Sequence, residues 1–280
     1  MSKPGQRIFI TGASAGIGFL TAQALCQRGH LVWGTGRKAE NLPLLENFHP
    51  IILDLNDQAS IEAGYRKAVT EAGHFDVLIN NAGNGLFGPL EGFSDAEFRS
   101  QLETLLLGPL ALIRLALPAM RERGEEGGKK GQGLIVNVSS LAAEFPLPFL
   151  TPYSLSKAAL SALTEGLSLE LSHTGIRFID LRPGDFATRF HTSTRLIESA
   201  LSPAYSPNEE QAWKTIDENM RRAPDPKQVS QTLVKIVEGN IRRPVIAVGD
   251  IFQARIAPLL ARLAPRGWVR WGLRKYYGLK

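Results

Sequence analysis

Short apolar runs alternate along this chain with longer amphipathic stretches. The first run spans Arg7 to Thr11 and the second Gly29 to Gly34. Others follow at Pro50–Asp54, Phe75–Asn80, Leu134–Ser139, Ile176–Leu181 and Pro244–Val248, which makes seven. Nearly continuous apolar runs of this length read as strands buried on both faces. The stretches between them, such as the one through Leu20, Ala24 and Leu25, read as helices. The alternation predicts an α/β fold, a parallel sheet covered by helices on both faces.

Two stretches break the rhythm. Residues Glu122 to Gly133 are charged and glycine-rich, with Lys129 and Lys130 at the centre, and read as an exposed loop. The longer one, Phe186 to Asp225, contains Pro203, Pro207 and Pro224, with helical material around Glu209 to Arg222. A structureless connection of that size is unusual, so partial helix and a functional lid over residues 186–225 are expected. No internal repeat is present.

Bulk properties narrow the picture. A chain of 280 residues with 44% hydrophobic content suits one large domain, residues 1–280, although two smaller ones also satisfy it. The single cysteine, Cys26, excludes an internal disulfide framework and a cysteine metal cage, and suits a reducing compartment. The N-terminus does not resemble a signal peptide, and no stretch is expected to span a bilayer. A cytoplasmic location is the expectation. The net charge is +5, but residues 250–280 hold seven Lys or Arg against one acid, which leaves the rest near −1. No nucleic-acid module accompanies that basic tail, so a nucleic-acid partner is not expected. His49, His74 and the other histidines lack ligand spacing, and no metal is expected.

The first run ends in Thr11-Gly12-Ala13-Ser14-Ala15-Gly16-Ile17-Gly18, and a helix follows. The start of a helix has free backbone N–H groups and the positive end of the helix dipole, so phosphates bind there. Gly12, Gly16 and Gly18 let the chain turn tightly against a ligand. Three glycines alone are a weak signal, which their place between strand and helix raises. Beyond the second run lies Thr35-Gly36-Arg37-Lys38, with no acid to accept a bond from a ribose 2′-hydroxyl. Arg37 suits a 2′-phosphate instead, which favours NADP. Asp54 and Leu55 end the third run, and Asn81, Ala82 and Gly83 the fourth. Both are places where ligands meet an open parallel sheet.

Tyr153 and Lys157 are four residues apart, so on a helix they share a face. An ammonium beside a phenol stabilises phenolate, which makes the tyrosine a better proton shuttle. Ser140 ends the fifth run, where its hydroxyl is placed to donate to a substrate oxygen gaining charge.

With these pieces in place, the chain resembles the classical short-chain dehydrogenase/reductases. The matching elements are the turn Thr11–Gly18, Asn80-Asn81-Ala82-Gly83, Ser139-Ser140, Tyr153 to Lys157, and Pro183-Gly184 with Thr188. The resemblance implies a doubly wound Rossmann-type fold with a central, mostly parallel seven-stranded sheet. It implies that Tyr153 is the general acid/base, that Ser140 orients substrate, and that Lys157 tunes Tyr153 and holds the nicotinamide ribose. It also implies cofactor contacts for Ser14, Ile17, Asn81 and Gly83, with Pro183 and Gly184 beside the nicotinamide and Thr188 at its carboxamide. A homo-oligomer is a further implication. One departure stands out. Where many members have an asparagine that helps hold a relay water near the lysine, this chain has Leu105, which cannot hydrogen-bond through its side chain.

The reaction so implied is reversible hydride transfer between NADP(H) and a ketone or secondary alcohol. Phe145, Pro146, Leu147, Pro148 and Phe149 form an apolar stretch between Ala142 and Phe149 expected to wall the substrate, with Phe186, Phe190 and Trp213 opposite. Such walls favour a hydrophobic substrate, whether lipid-like, retinoid-like or steroid-like. A low-activity nucleotide sensor or scaffold is the alternative that Leu105 sustains. An extended-family epimerase or dehydratase is another. In the tail, residues 250–280, Phe252, Ile256, Leu259, Leu260 and Leu263 fall at helical spacing among Arg255, Arg262 and Arg266. This basic amphipathic extension is expected to pack on protein, with peripheral membrane contact less favoured.

Overall fold

The structure, a computed structural model, describes residues 5–125, 133–188, 193–197 and 205–280. Seven strands form one parallel sheet: β1 (Arg7–Ile10), β2 (Leu31–Gly36), β3 (Phe48–Ile52), β4 (Val77–Asn80), β6 (Leu134–Val138), β7 (Arg177–Pro183) and β9 (Val245–Val248). Their order is β3-β2-β1-β4-β6-β7-β9. The chain winds outward through β2 and β3, then returns to the other side of β1 for β4. A crevice opens where the winding reverses.

Alternation along β1 sorts the core. Ile8 and Ile10 face α1 (Gly16–Cys26) and Lys227–Val237, here α7, in a cluster with Ile79, Val136, Leu25 and Leu233. Phe9 points the other way, into a cluster with Trp33, Leu78 and Ile135. That face is covered by α2 (Gln58–Ala72), α4 (Gly108–Glu125) and α5 (Thr151–Glu170), through Ile61, Tyr65, Leu112, Met120 and Leu163 among others. Strands buried on both sides explain why their sequences are nearly continuous in apolar residues.

Several boundaries differ from the sequence reading. β3 starts at Phe48, two residues before the expected Pro50. Proline lacks the N–H that a central strand needs, but β3 is a sheet edge, where proline is tolerated. The expected loop at Glu122–Gly133 begins as helix, because α4 runs on to Glu125. Arg123 anchors that last turn: its guanidinium donates to Asp76 Oδ1 (2.6 Å) and to the Phe75 carbonyl (3.1 Å). Most of the remaining loop lies outside the described residues.

The expectation that no stretch could span a bilayer also needs correction. The helix from α3 (Asp95–Leu102) through a π-helical turn (Glu103–Leu107) into α4 gives Asp95–Arg123, long and apolar enough by length and composition. Its Leu112, Ile113, Ala116 and Met120 are core residues packed on the sheet, as in a buried helix of a layered fold. Within the expected lid lie β8 (Arg195–Leu196), paired in parallel with β5 (Leu86–Phe87), and α6 (Ser206–Arg222). The chain ends in a π-helical turn (Phe252–Ile256), α8 (Ala257–Leu263) and α9 (Arg266–Tyr276).

Candidate active site

A cavity of about 470 Å³ lies along the C-terminal ends of the strands. Its first wall is the turn after β1. Asn81 stitches that turn to the end of β4: its Nδ2 donates to the Thr11 carbonyl (2.9 Å), while the N–H groups of Asn81 and Ala82 donate to Thr11 Oγ1 (2.9 and 3.0 Å). Gly12 has φ 72°, and a Cβ there would come within 2.8 Å of Ala82 Cα. A Cβ on Gly18 would lie 2.1 Å from the Gly12 carbonyl oxygen. The turn is therefore closed to side chains from behind.

Its front is open to an anion. Ala15 caps α1 with no side-chain hydrogen bond, and the first turn holds no acid. Gly12, Ser14, Gly16 and Ile17 line the cavity, whereas Gly18 sits behind the turn and supports it. This bare helix start and close-packed glycine cradle fit the diphosphate of a dinucleotide. Arg37, at the end of β2, is exposed and also lines the cavity. Among the described residues its neighbour Lys38 pairs with Glu40 (4.0 Å), while Arg37 has no ion-pair partner.

The other end carries the ionisable groups. Ser140 follows β6 and caps a 3₁₀ turn, Leu141–Ala143, its Oγ accepting from the Ala142 N–H (3.1 Å). The hydroxyls of Ser140 and Tyr153 share a hydrogen bond. One turn along α5, Lys157 is buried, with Nζ 5.8 Å from the centre of the Tyr153 ring. That ammonium donates to the Val138 carbonyl at 2.7 Å. Burial pushes Tyr153 up to about 12, against the Ser140 hydrogen bond, and the nearby Asp185 charge adds to the rise. Burial also pulls Lys157 down to about 8, partly offset by Asp180. The net rise at Tyr153 runs against the lowering expected from a neighbouring ammonium, and its largest cause is desolvation of the phenolate.

A buried network holds this end in place. Asp180 on β7 accepts from Ser139, from Ser161 Oγ (2.7 Å) on α5, and from Arg182 Nε (2.6 Å). Arg182 also pairs with Glu144, beyond the 3₁₀ turn. One carboxylate thereby ties β6, β7 and α5 together around Ser140 and Lys157.

Every cofactor and catalytic candidate except Gly18 lines the one cavity: Asp54, Leu55, Asn81, Ala82, Gly83, Ser140, Tyr153, Lys157, Pro183, Gly184 and Thr188 join those already placed. Sequence reasoning missed Asn56, Ser100, Thr104 and Asp185. The first three form a chain, Asn56 Nδ2 donating to Thr104 Oγ1 (2.9 Å) and Ser100 Oγ to Asn56 Oδ1 (2.8 Å). Leu105, in the π-helical turn, is fully buried. A Cβ on Gly83 would lie 3.2 Å from Leu105 Cδ2 and 4.0 Å from Lys157 Nζ, so both side chains flank Gly83.

The apolar wall differs in detail from expectation. Leu147, Phe186 and Trp213 of α6 line the cavity as expected, joined by Leu150 and by Ile216 and Met220 of α6. Phe149 packs behind, with Phe87, Tyr153 and Trp213, at φ 60°. Phe145, Pro146 and Pro148 are not part of the lining, and Phe190 lies outside the described residues.

Known proteins match this architecture closely. A 3-ketodihydrosphingosine reductase of Bacteroides thetaiotaomicron is 31% identical over 98% of this chain and 99% of its own length. A short-chain dehydrogenase of Burkholderia cenocepacia J2315, solved with NADP, superposes with TM-score 0.73 at 25% identity, covering 98% of this chain and 99% of that one. A short-chain dehydrogenase/reductase of Burkholderia phymatum, solved with NAD, has the same fold, with TM-score 0.77 at 22% identity and coverage of 94% and 96%. The family model described as short chain dehydrogenase matches residues 6–198, the span that carries the glycine turn and the Ser140, Tyr153 and Lys157 cluster. By that match, and by a parallel sheet with its cavity at the reversal of winding, the chain is an oxidoreductase of the short-chain dehydrogenase/reductase family.

Proposed function

We propose that this protein reduces a long-chain, apolar ketone to a secondary alcohol with NADPH, Tyr153 supplying the proton. The observation that carries the reading is the meeting of the Ser140 and Tyr153 hydroxyls with Lys157 in the cavity that also holds the phosphate-binding turn. When bound there, a reduced nicotinamide supplies a hydride to the carbonyl carbon. The protein supplies the rest. The turn at Gly12–Ile17 holds the diphosphate, and Arg37 accounts for the choice of a 2′-phosphate. Ser140 donates to the carbonyl oxygen and fixes its position. As negative charge grows on that oxygen, the Tyr153 proton moves to it, and the Lys157 ammonium stabilises the phenolate left behind.

The acid–base balance favours this direction. With its pKa near 12, Tyr153 keeps its proton throughout the neutral range and is ready to donate it. Lys157 is charged below about pH 8. The reverse reaction starts from phenolate, which burial disfavours.

The substrate class is supported by two features. The lining of Leu147, Leu150, Phe186, Trp213, Ile216 and Met220 suits an alkyl chain. A relative matching nearly the whole chain is named as a 3-ketodihydrosphingosine reductase. NADPH oxidation should be followed with 3-ketodihydrosphingosine, with simple long-chain ketones and with short polar ketones, and the alcohol identified by mass spectrometry. Reduction of the long-chain compounds with at least tenfold higher kcat/KM is expected, since each buried methylene adds binding. Preference for the short polar ketones would overturn the substrate assignment, and no NADPH-dependent alcohol from any ketone would overturn the reaction.

A further inference from the structure

The last two helices carry more apolar surface than their packing uses. Val269 and Leu273 of α9 are half-buried and Tyr277, which caps its end, is buried, four apart along one face. Trp268 and Trp271 lie off that face and are 73% and 65% exposed. Ile256, which ends the π-helical turn, and Leu259, Leu260 and Leu263 of α8 are at helical spacing and all exposed, Leu263 by 78%. Ile251 and Phe252 continue the patch. Basic residues are interleaved: between Ile251 and Lys280 there are seven Lys or Arg and no acid. Lys275 lies over the Trp271 ring, its Nζ 5.2 Å from the centroid.

We propose that this segment is a docking surface for an anionic lipid bilayer. Exposed aliphatic and indole groups enter the boundary between headgroups and acyl chains, where tryptophan is favoured, and the interleaved cations meet lipid phosphates. A second copy of the chain is the poorer occupant. Across a two-fold axis this patch would face itself and set seven cations against one another, with Asp250, at its start, the single acid of residues 250–280.

The surface is wired to the cavity. Gln253, at its start, donates from Nε2 to Asp185 Oδ2 (2.9 Å) and accepts from the Asp185 N–H (3.3 Å). At its end, the Lys280 N–H donates to Asn208 Oδ1 (3.0 Å) and Asn219 Nδ2 donates to the Tyr276 hydroxyl (2.8 Å). Asn208 and Asn219 belong to α6, which lends Trp213, Ile216 and Met220 to the cavity lining. Docking therefore places an apolar phase beside the elements that border the cavity, whatever reaction occurs inside it.

The full chain should be sedimented with phosphatidylcholine vesicles, with and without phosphatidylglycerol, at low and high salt. Brominated lipid in the same vesicles reports indole insertion as fluorescence quenching. Binding is expected to the phosphatidylglycerol vesicles alone, with quenching, and to weaken as salt rises. Trp268→Ala with Trp271→Ala should weaken it about tenfold or more and remove the quenching. Arg266→Gln, Arg270→Gln and Arg274→Gln together should flatten the salt dependence. Failure of the wild type to bind anionic vesicles would overturn the proposal, as would equal binding by the tryptophan variant. A lipid-free assembly of the wild type that the tryptophan variant dissolves, seen by analytical ultracentrifugation, would assign the face to a second copy and overturn it too.

Discussion

Tyr153 and Lys157 are shifted in opposite directions by one cause, burial, which penalises whichever form carries charge. Reduction needs the neutral phenol and the charged ammonium together. Both are present below about pH 8, and the ammonium is lost first as pH rises. The reductive kcat should therefore fall on the alkaline side with an inflection near Lys157's value. Leu105, fully buried, flanks Gly83 as Lys157 does. Leu105→Asn places a polar amide in that buried neighbourhood, so Lys157 should hold its proton to higher pH and the limb should move up by about one unit. A pH–rate profile of both proteins checks this, and an unmoved limb would remove Leu105 from the account. Arg37 is the second residue with a separable effect. Removing a charge-assisted pair to phosphate costs about 1.5–3 kcal/mol. Arg37→Ala should thus raise KM for NADPH roughly 10- to 100-fold and leave that for NADH nearly unchanged. Equal changes for both cofactors would mean that Arg37 does not read the 2′-phosphate.

Two glycines in helices make opposite predictions at the scale of elements. Gly18 is pressed against the Gly12 carbonyl, so Gly18→Ala must displace the turn and should lower both stability and cofactor affinity, by about 1–3 kcal/mol in stability. Gly166, exposed on α5, has nothing within 4 Å of an added Cβ. Gly166→Ala should raise stability by up to about 1 kcal/mol through helix propensity alone. Urea titration of the two variants measures both signs. The same scale explains what the chain's pattern revealed. Strands such as Leu134–Val138 were legible because burial on both faces leaves an unbroken apolar run. The pairing of Leu86–Phe87 with Arg195–Leu196 was not, since two residues carry no period. The start of the edge strand at Phe48 is not legible either, since proline fits the first position of a strand until the sheet order shows that it lies on an edge.

For the molecule as a whole, the winding order decides which distant segments meet. The turns after β1 and β4 and the end of β6 converge at the reversal, and α5 crosses beside them. The glycine turn and the Tyr153–Lys157 pair could be read locally, since each is one short piece of chain. Asn56, Ser100 and Thr104 could not, because their chain of hydrogen bonds exists only once the exit of β3 meets the helix Asp95–Arg123. Asp185 was likewise invisible until the tail's Gln253 reached it. The proposed apolar substrate follows from the cavity side lined by Leu147, Leu150, Phe186, Trp213, Ile216 and Met220. What binds the account together is proton donation by Tyr153 to a carbonyl beside a bound nicotinamide. The most direct measurement pairs kcat for reduction of a long-chain ketone with the Kd for NADPH, in the wild type and in Tyr153→Phe. The account predicts a loss of kcat of about 100-fold or more with the Kd unchanged. Turnover by Tyr153→Phe at the wild-type rate would contradict it.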